Sequence, residues 1–251
     1  MTGGPSPLPD ITAISHPKLI ADDAADSRHP RTLIEHVYNG LKDDIIRGRL
    51  RPEAKLPIEQ LRARFGVSSS TLREALTLLV ADALVTSEGQ RGFKVAPASM
   101  ADFREIIDLR KMMETTALRQ SIALGDDNWE GRVVAAFHKL NLIDTRRMQK
   151  SESVAKEWSA RNEAFHEALV GASTLKWVRH FRRILSHSSE RYLALSLAVL
   201  NIRVGVRREH KAIMDAALAR NADLACRLAA DHIERTYTAL ADVAPNPLRQ
   251  D

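Results

Sequence analysis

The stretch Leu61-Arg62-Ala63-Arg64-Phe65-Gly66-Val67-Ser68-Ser69-Ser70-Thr71-Leu72-Arg73-Glu74-Ala75-Leu76 decides how this chain is read. Leu61 and Phe65 stand four apart and mark a short amphipathic helix, and Gly66-Val67-Ser68 breaks it tightly. A longer apolar-periodic helix follows from about Ser69 to Leu84, with Leu72, Leu76, Leu79 and Ala83 on its buried side. Two helices around a glycine turn, the second opening on hydroxyls and a cation, are the layout of a helix-turn-helix. In that motif the N-terminal residues of the second helix face base edges in the major groove.

The flanks extend the pattern. Upstream, Leu33, Val37, Leu41 and Ile45, widened by Ile46, form an amphipathic stripe that predicts a helix stopping at Gly48. Downstream, Val85-Thr86-Ser87 and Phe93-Lys94-Val95 are β-prone and bracket Glu88-Gly89-Gln90-Arg91-Gly92, where two glycines permit a tight hairpin. Helix, helix, turn, helix, hairpin is the order of a winged helix-turn-helix, spanning 31–99. Residues 1–30 mix Gly, Pro, Ser and Asp without period and read as a disordered arm. Between Asp102 and Val243 strand signals nearly vanish. Helices are expected near 102–124, 128–149, 154–171, 174–201, 204–220 and 222–241. The fold class is therefore mainly α: a winged helix-turn-helix with a small β-hairpin wing, then an all-α bundle over 101–244 and a tail at 245–251.

Composition sets limits without naming a function. Hydrophobic residues make up 44% and charged residues 27% of 251, ordinary for a globular protein. The formal charge of +5 is spread along both halves, so DNA binding rests on the motif rather than on net charge. A single cysteine, Cys226, cannot form an internal disulfide, and no apolar run is long enough to span a bilayer. A cytoplasmic location with no membrane partner is the expectation.

These residues carry a resemblance. Leu56-Pro57, the run from Leu61 to Leu76 and the hairpin Ser87–Phe93 resemble the N-terminal domain of the GntR family of transcription regulators. The resemblance implies operator DNA as partner, with Ser68, Ser69, Ser70, Thr71 and Arg73 on the recognition helix and Arg91 on the wing as the DNA-binding residues. Many members carry arginine where Ser69 stands, a residue that reads guanine; serine cannot make that bidentate contact. Arg62 occupies a position where such motifs usually place a small residue, so its head is expected to reach solvent.

The helical half holds a second pattern. Asn162 and His166 lie four apart and so project from one helix face, while His210 and His232 sit on two later helices. A bundle can gather such side chains on one interior site. Spacing alone leaves each histidine open to a surface or core role. Here the region is similar to the FCD domain of the FadR branch, on Leu109-Arg110 with Glu114, Asn162…Phe165-His166, Glu209-His210…Ile213 and Asp231-His232-Ile233. The resemblance implies a divalent metal, Zn or Ni by the imidazole set, on Asn162, His166, His210 and His232. It also implies an organic acid effector paired with Arg110 and Arg191, a homodimer, and repression released by the effector. The first ligand is usually Asp, so Asn162 withholds a charge. Arg110 is also placed to pair with Glu114 at i,i+4. Two further readings stay open: a regulator without functional metal whose effector is held by arginines, and a metal-dependent hydrolase, for which no general base is evident beside the cluster.

Overall fold

A computed structural model describes residues 30–144, 152–195 and 205–242. The expected N-terminal arm and C-terminal tail lie outside the described residues, as do the expected helix ends at 145–149 and 196–201. The described residues fall into two compact units. One runs to Ser99 and takes in Glu190–Leu195; the other begins at Met100 and holds the remainder.

The first unit is built on α1 (Pro30–Ile46), α2 (Ile58–Phe65) and α3 (Ser69–Ala81), followed by β1 (Val85–Ser87) and β2 (Phe93–Val95). Val37, Leu41 and Ile45 of the expected stripe are fully buried, together with Leu61, Leu72, Leu76 and Leu79. This single apolar cluster fixes the three helices against one another. Gly66 ends α2 in the left-handed region at φ 63°, a conformation open to glycine at no steric cost. It thereby turns the chain into α3, whose N-cap Ser68 accepts a hydrogen bond from the Thr71 amide. The strands pair antiparallel, Val85 opposite Val95 and Ser87 opposite Phe93. A single 3-10 turn, Gly89–Arg91, sits at the tip.

Two features differ from the sequence reading. Helix α3 stops at Ala81, before the expected Leu84, because Ala83 adopts φ 56°. The amides of Ala83 and Leu84 then bond back to the carbonyls of Val80 and Leu79, a helix-closing motif usually built on glycine. The stripe of α1 also buries a carboxylate: Asp44 is fully enclosed and bonded by Arg49 at 2.7 Å and Arg64 at 2.5 Å.

The second unit is all helix among the described residues: α4 (Met100–Leu124), α5 (Asp127–Asp144), α6 (Glu152–Leu169), α7 (Lys176–Leu195, whose end from Glu190 on belongs to the first unit), α8 (Val206–Leu218) and α9 (Ala222–Ala241). Its core joins Leu118, Ile122, Trp129, Val133, Phe165, Leu169, Ile213 and Ala217 from four helices. Trp129 is fully buried and donates its indole N–H to the carbonyls of Ala168 and Leu169. Trp158 packs against the same core from its edge, whereas Trp177 stands 63% exposed. Between α4 and α5 the chain passes so close to Trp129 that a Cβ on Gly125 would lie 2.3 Å from the indole. None of the described helices is long and apolar enough to cross a membrane.

Candidate DNA-reading and effector sites

On the first unit, the start of α3 presents a continuous polar edge. Ser68 and Ser70 are exposed, and Ser69 and Thr71 are half-buried. Ser68 Oγ lies 2.8 Å from Ser70 Oγ and 2.9 Å from Thr71 Oγ1. Ser68 therefore caps the helix, and the cap holds the neighbouring hydroxyls in fixed positions. Leu72 turns inward and is fully buried, while Arg73 and Glu74, one step on, are exposed. Arg91 at the tip of the hairpin is exposed as well. Among the described residues neither Arg73 nor Arg91 has an ion-pair partner, so both guanidiniums are available to phosphate or base edges. Arg62 reaches solvent and pairs with Glu59 at 2.9 Å, which removes the steric objection to its position.

On the second unit, α6, α8 and α9 bring three imidazoles together. The ring centroids of His166, His210 and His232 lie 4.8–5.3 Å apart, and one nitrogen from each lies within 4.8 Å of the others. Phe165, the residue before His166, is fully buried and meets the His210 ring at 5.1 Å, so core packing sets the azimuth of α6 at this point. His210 is 1% exposed. Burial, the two neighbouring imidazoles and the guanidiniums of Arg110 and Arg182 hold His166 well below the ordinary histidine range, so its ring is neutral at pH 7. Its Nε2 is buried without a hydrogen-bond partner, and so is the carboxamide oxygen of Asn162 one helical turn earlier.

Orphaned polar atoms of this kind carry a desolvation cost that a ligand relieves. Nitrogens sharing a tetrahedral ion sit about 3.4 Å apart at ordinary Zn–N lengths. Ring shifts of about an ångström would therefore close the cluster on a cation, and the donor set fits one.

The cavity beside the cluster has an empty volume of about 310 Å³, its open mouth included. Glu114, His166 and His232 supply its polar lining, and Leu118, Leu169, Val170, Ile213 and Ile233 are among its aliphatic lining. Behind Glu114 stands a buried arginine that sequence reasoning did not single out. Arg182 is 2% exposed, donates to both Glu114 oxygens at 3.1 and 3.3 Å, and also pairs with Glu167. In the run Arg179…Arg182-Arg183 nothing in the sequence distinguishes the inward cation from its exposed neighbours. Arg110 donates to Ser189 Oγ at 3.0 Å and holds its Nε 3.8 Å from Glu114, so the expected i,i+4 pairing is present only as a loose ion pair.

Arg191 departs from its expected place. It belongs to the first unit, where its guanidinium donates to the carbonyls of Ala96 at 3.2 Å and Pro97 at 2.7 Å. Its Nε, like that of Arg110, is buried without a hydrogen-bond partner. Glu209, quoted above only as part of a motif, proves to be the partner of His232, its Oε2 2.7 Å from Nδ1. His187 lies 3.4 Å from Glu163 on α6, away from the three-imidazole cluster.

Known proteins share this architecture. Residues 33–95 match the family described as bacterial regulatory proteins, gntR family, and residues 105–235 match the FCD domain. The chain is 41% identical to the HTH-type transcriptional regulator BphR of Paraburkholderia xenovorans (strain LB400) over 210 residues, 84% of this chain and 86% of that one. It is 34% identical to the HTH-type transcriptional repressor GlaR of Escherichia coli (strain K12) over 200 residues, 78% of this chain and 90% of the relative. Among solved structures, a GntR transcriptional regulator from Rhodococcus sp. RHA1 superposes with a TM-score of 0.66 at 25% identity, covering 84% of this chain and 99% of the other. These families and relatives regulate transcription, and the hydrolase alternative falls with them. With both halves matched in order, this chain belongs to the GntR family of bacterial transcription regulators, a DNA-binding regulator with an FCD domain.

Proposed function

We propose that the protein is a cytoplasmic repressor of the FadR branch that leaves its operator when a small carboxylate binds beside a divalent cation in the helical unit. The convergence of His166, His210 and His232 from three separate helices carries this reading. Three imidazoles within reach of one centre, with the Asn162 oxygen and the His166 Nε2 buried and unpartnered, are costly unless something binds there.

In this reading Asn162, His166, His210 and His232 hold a Zn or Ni ion, which when bound supplies a Lewis-acidic anchor for the effector carboxylate. Glu209 orients His232 by accepting from its Nδ1, leaving Nε2 for the ion. Arg110 faces the effector, supported by Ser189, while Arg182 holds Glu114 in place through both of its oxygens. The aliphatic lining favours an acid with a compact apolar body over a heavily hydroxylated one, because unmatched hydroxyls there would lose their water.

A homodimer would set two recognition helices on a pseudo-palindromic site. Ser68, Ser69, Ser70, Thr71 and Arg73 then address the major groove, and Arg91 of the wing addresses the adjacent backbone or minor groove. The effector can release DNA only by binding one arrangement of the dimer more tightly than the other. The domain limits follow the same reading: 31–99 for DNA and 101–244 for effector and dimer contacts.

The test is elemental analysis of gently purified protein beside His166→Ala, combined with anisotropy on operator selected from a random duplex pool. About one Zn or Ni per chain, lost in the variant, and operator affinity that falls with an added carboxylate support the reading. Metal-free protein that remains so after supplementation removes the ion from it. Operator affinity unchanged across a broad acid library removes the effector.

A further inference from the structure

The donors available at the cluster share one property: none brings a negative charge. His166, His210 and His232 offer imidazoles, and Asn162 offers a carboxamide. Among the described residues no carboxylate places an oxygen with the three nitrogens. The acids nearby are already engaged. Glu114 lines the same cavity, but Arg182 holds both of its oxygens and Arg110 stands 3.8 Å away. Glu209 is shared between His232 and Arg235. A divalent cation entering here keeps its full charge in a buried site, and the guanidiniums of Arg110 and Arg182 repel it. An unneutralised buried charge is expensive.

Arg110 supplies the complementary observation. Its Nε is buried without a hydrogen-bond acceptor, although one of its terminal nitrogens reaches Ser189. Arg110 does not line the cavity itself but stands behind Glu114, which does, and an anionic oxygen placed beside Glu114 would satisfy it. A carboxylate therefore removes two penalties together: the cation's missing counter-charge and the arginine's missing acceptor.

We propose that this site binds its metal ion and a carboxylate as a mutually dependent pair, each weak alone, because the donor set formed by Asn162, His166, His210 and His232 is neutral. Metal occupancy then reports the effector, and by linkage the metal raises carboxylate affinity by the same factor. The inference rests on the metal reading of the preceding section and adds the conditional affinity to it.

The experiment is a chelator-competition titration of the apo full-length protein with Ni²⁺. It is run in carboxylate-free buffer and in buffer containing acetate, propionate or isobutyrate, on the wild type, Asn162→Asp and Arg110→Gln. The expected result is Ni²⁺ affinity at least about tenfold tighter for the wild type with a carboxylate present. Asn162→Asp, which carries its own counter-charge, should bind Ni²⁺ at least about tenfold tighter than the wild type in carboxylate-free buffer and respond weakly to the acids. Arg110→Gln removes a repelling charge together with the group that awaits the carboxylate, so it should bind Ni²⁺ at least as tightly as the wild type without acid and lose most of the enhancement; the proposal thus stays testable if Asn162→Asp does not fold. Wild type that binds Ni²⁺ equally with and without each acid, and as tightly as Asn162→Asp, overturns the mutual dependence while leaving the metal site in place. Wild type that binds no Ni²⁺ in any buffer overturns the metal reading itself, and the pair with it.

Discussion

His232 holds Nδ1 2.7 Å from Oε2 of Glu209, twenty-three residues earlier on the preceding helix. A carboxylate accepts only, so Nδ1 carries a proton, and in the neutral ring that leaves the lone pair on Nε2. Glu209 is itself held by Arg235 on α9. One acid thus sets both the tautomer and the tilt of one imidazole in the cluster. Replacing Glu209 with Gln should lower Ni²⁺ or Zn²⁺ affinity by about tenfold with unchanged helix content, read by chelator competition and circular dichroism. An affinity equal to that of the wild type would show that the ring is positioned by packing alone.

The recognition helix separates two roles that look alike in sequence. Ser68 accepts from the Thr71 amide, so Ser68→Ala should cost about 1 kcal/mol of stability in the first unit. Arg73 is exposed with no ion-pair partner among the described residues, so Arg73→Ala should leave the melting temperature alone. It should weaken operator binding about tenfold or more and reduce the salt dependence of binding by about one ion. Thermal melts and anisotropy at several salt concentrations distinguish the pair. A melting shift in Arg73→Ala as large as that in Ser68→Ala would refute the assignment.

Ala83 closes α3 from the left-handed region at φ 56°, where its Cβ is strained. Ala83→Gly should raise stability by roughly 0.5–1 kcal/mol, since the native conformation costs glycine less than alanine. Urea unfolding is the measurement. A drop in the midpoint would mean that the entropy of glycine in the unfolded chain outweighs the relief.

In the helical unit, Glu234 on α9 ties down α4. Hydrogen bonds from Arg104 and Lys111 hold its carboxyl at about 2, against opposing desolvation. A depressed carboxyl contributes stability above its unfolded pKa and loses it as protons bind. The contribution is full above about pH 5 and fades towards pH 2. Because Glu234 is 38% exposed, solvent screening limits it to about 1 kcal/mol or less. Glu234→Gln should flatten the acid limb of a stability-versus-pH curve in that window and leave the neutral-to-alkaline limb parallel to wild type. An acid limb identical in the two proteins would rule the contact out as a source of acid sensitivity.

Local pattern was enough for much of this molecule. The four-residue spacing from Leu33 to Ile45, the Gly66 turn and the paired β-prone triplets are short-range signals, and they placed the winged helix-turn-helix to within a few residues. The same periodicity found six helices in the second half, and the i,i+4 relation of Asn162 to His166 needs only helical geometry. What packing contributed is long-range. Asp44 reads as one more polar residue on α1, yet it is buried because Arg64 from α2 and Arg49 from the following loop close over it. Arg182 and Arg183 are adjacent and chemically identical in sequence; only the azimuth of α7 against α4 buries the first and leaves the second exposed. Arg191 carries no sign in sequence of what it touches, yet its guanidinium donates to the carbonyls of Ala96 and Pro97. That three histidines from α6, α8 and α9 share one centre was suggested by family pattern, but their separation in sequence carries no distance. The core around Phe165 and Ile213 supplies it, because burying those two side chains together brings α6 and α8 side by side, with the Phe165 ring 5.1 Å from that of His210.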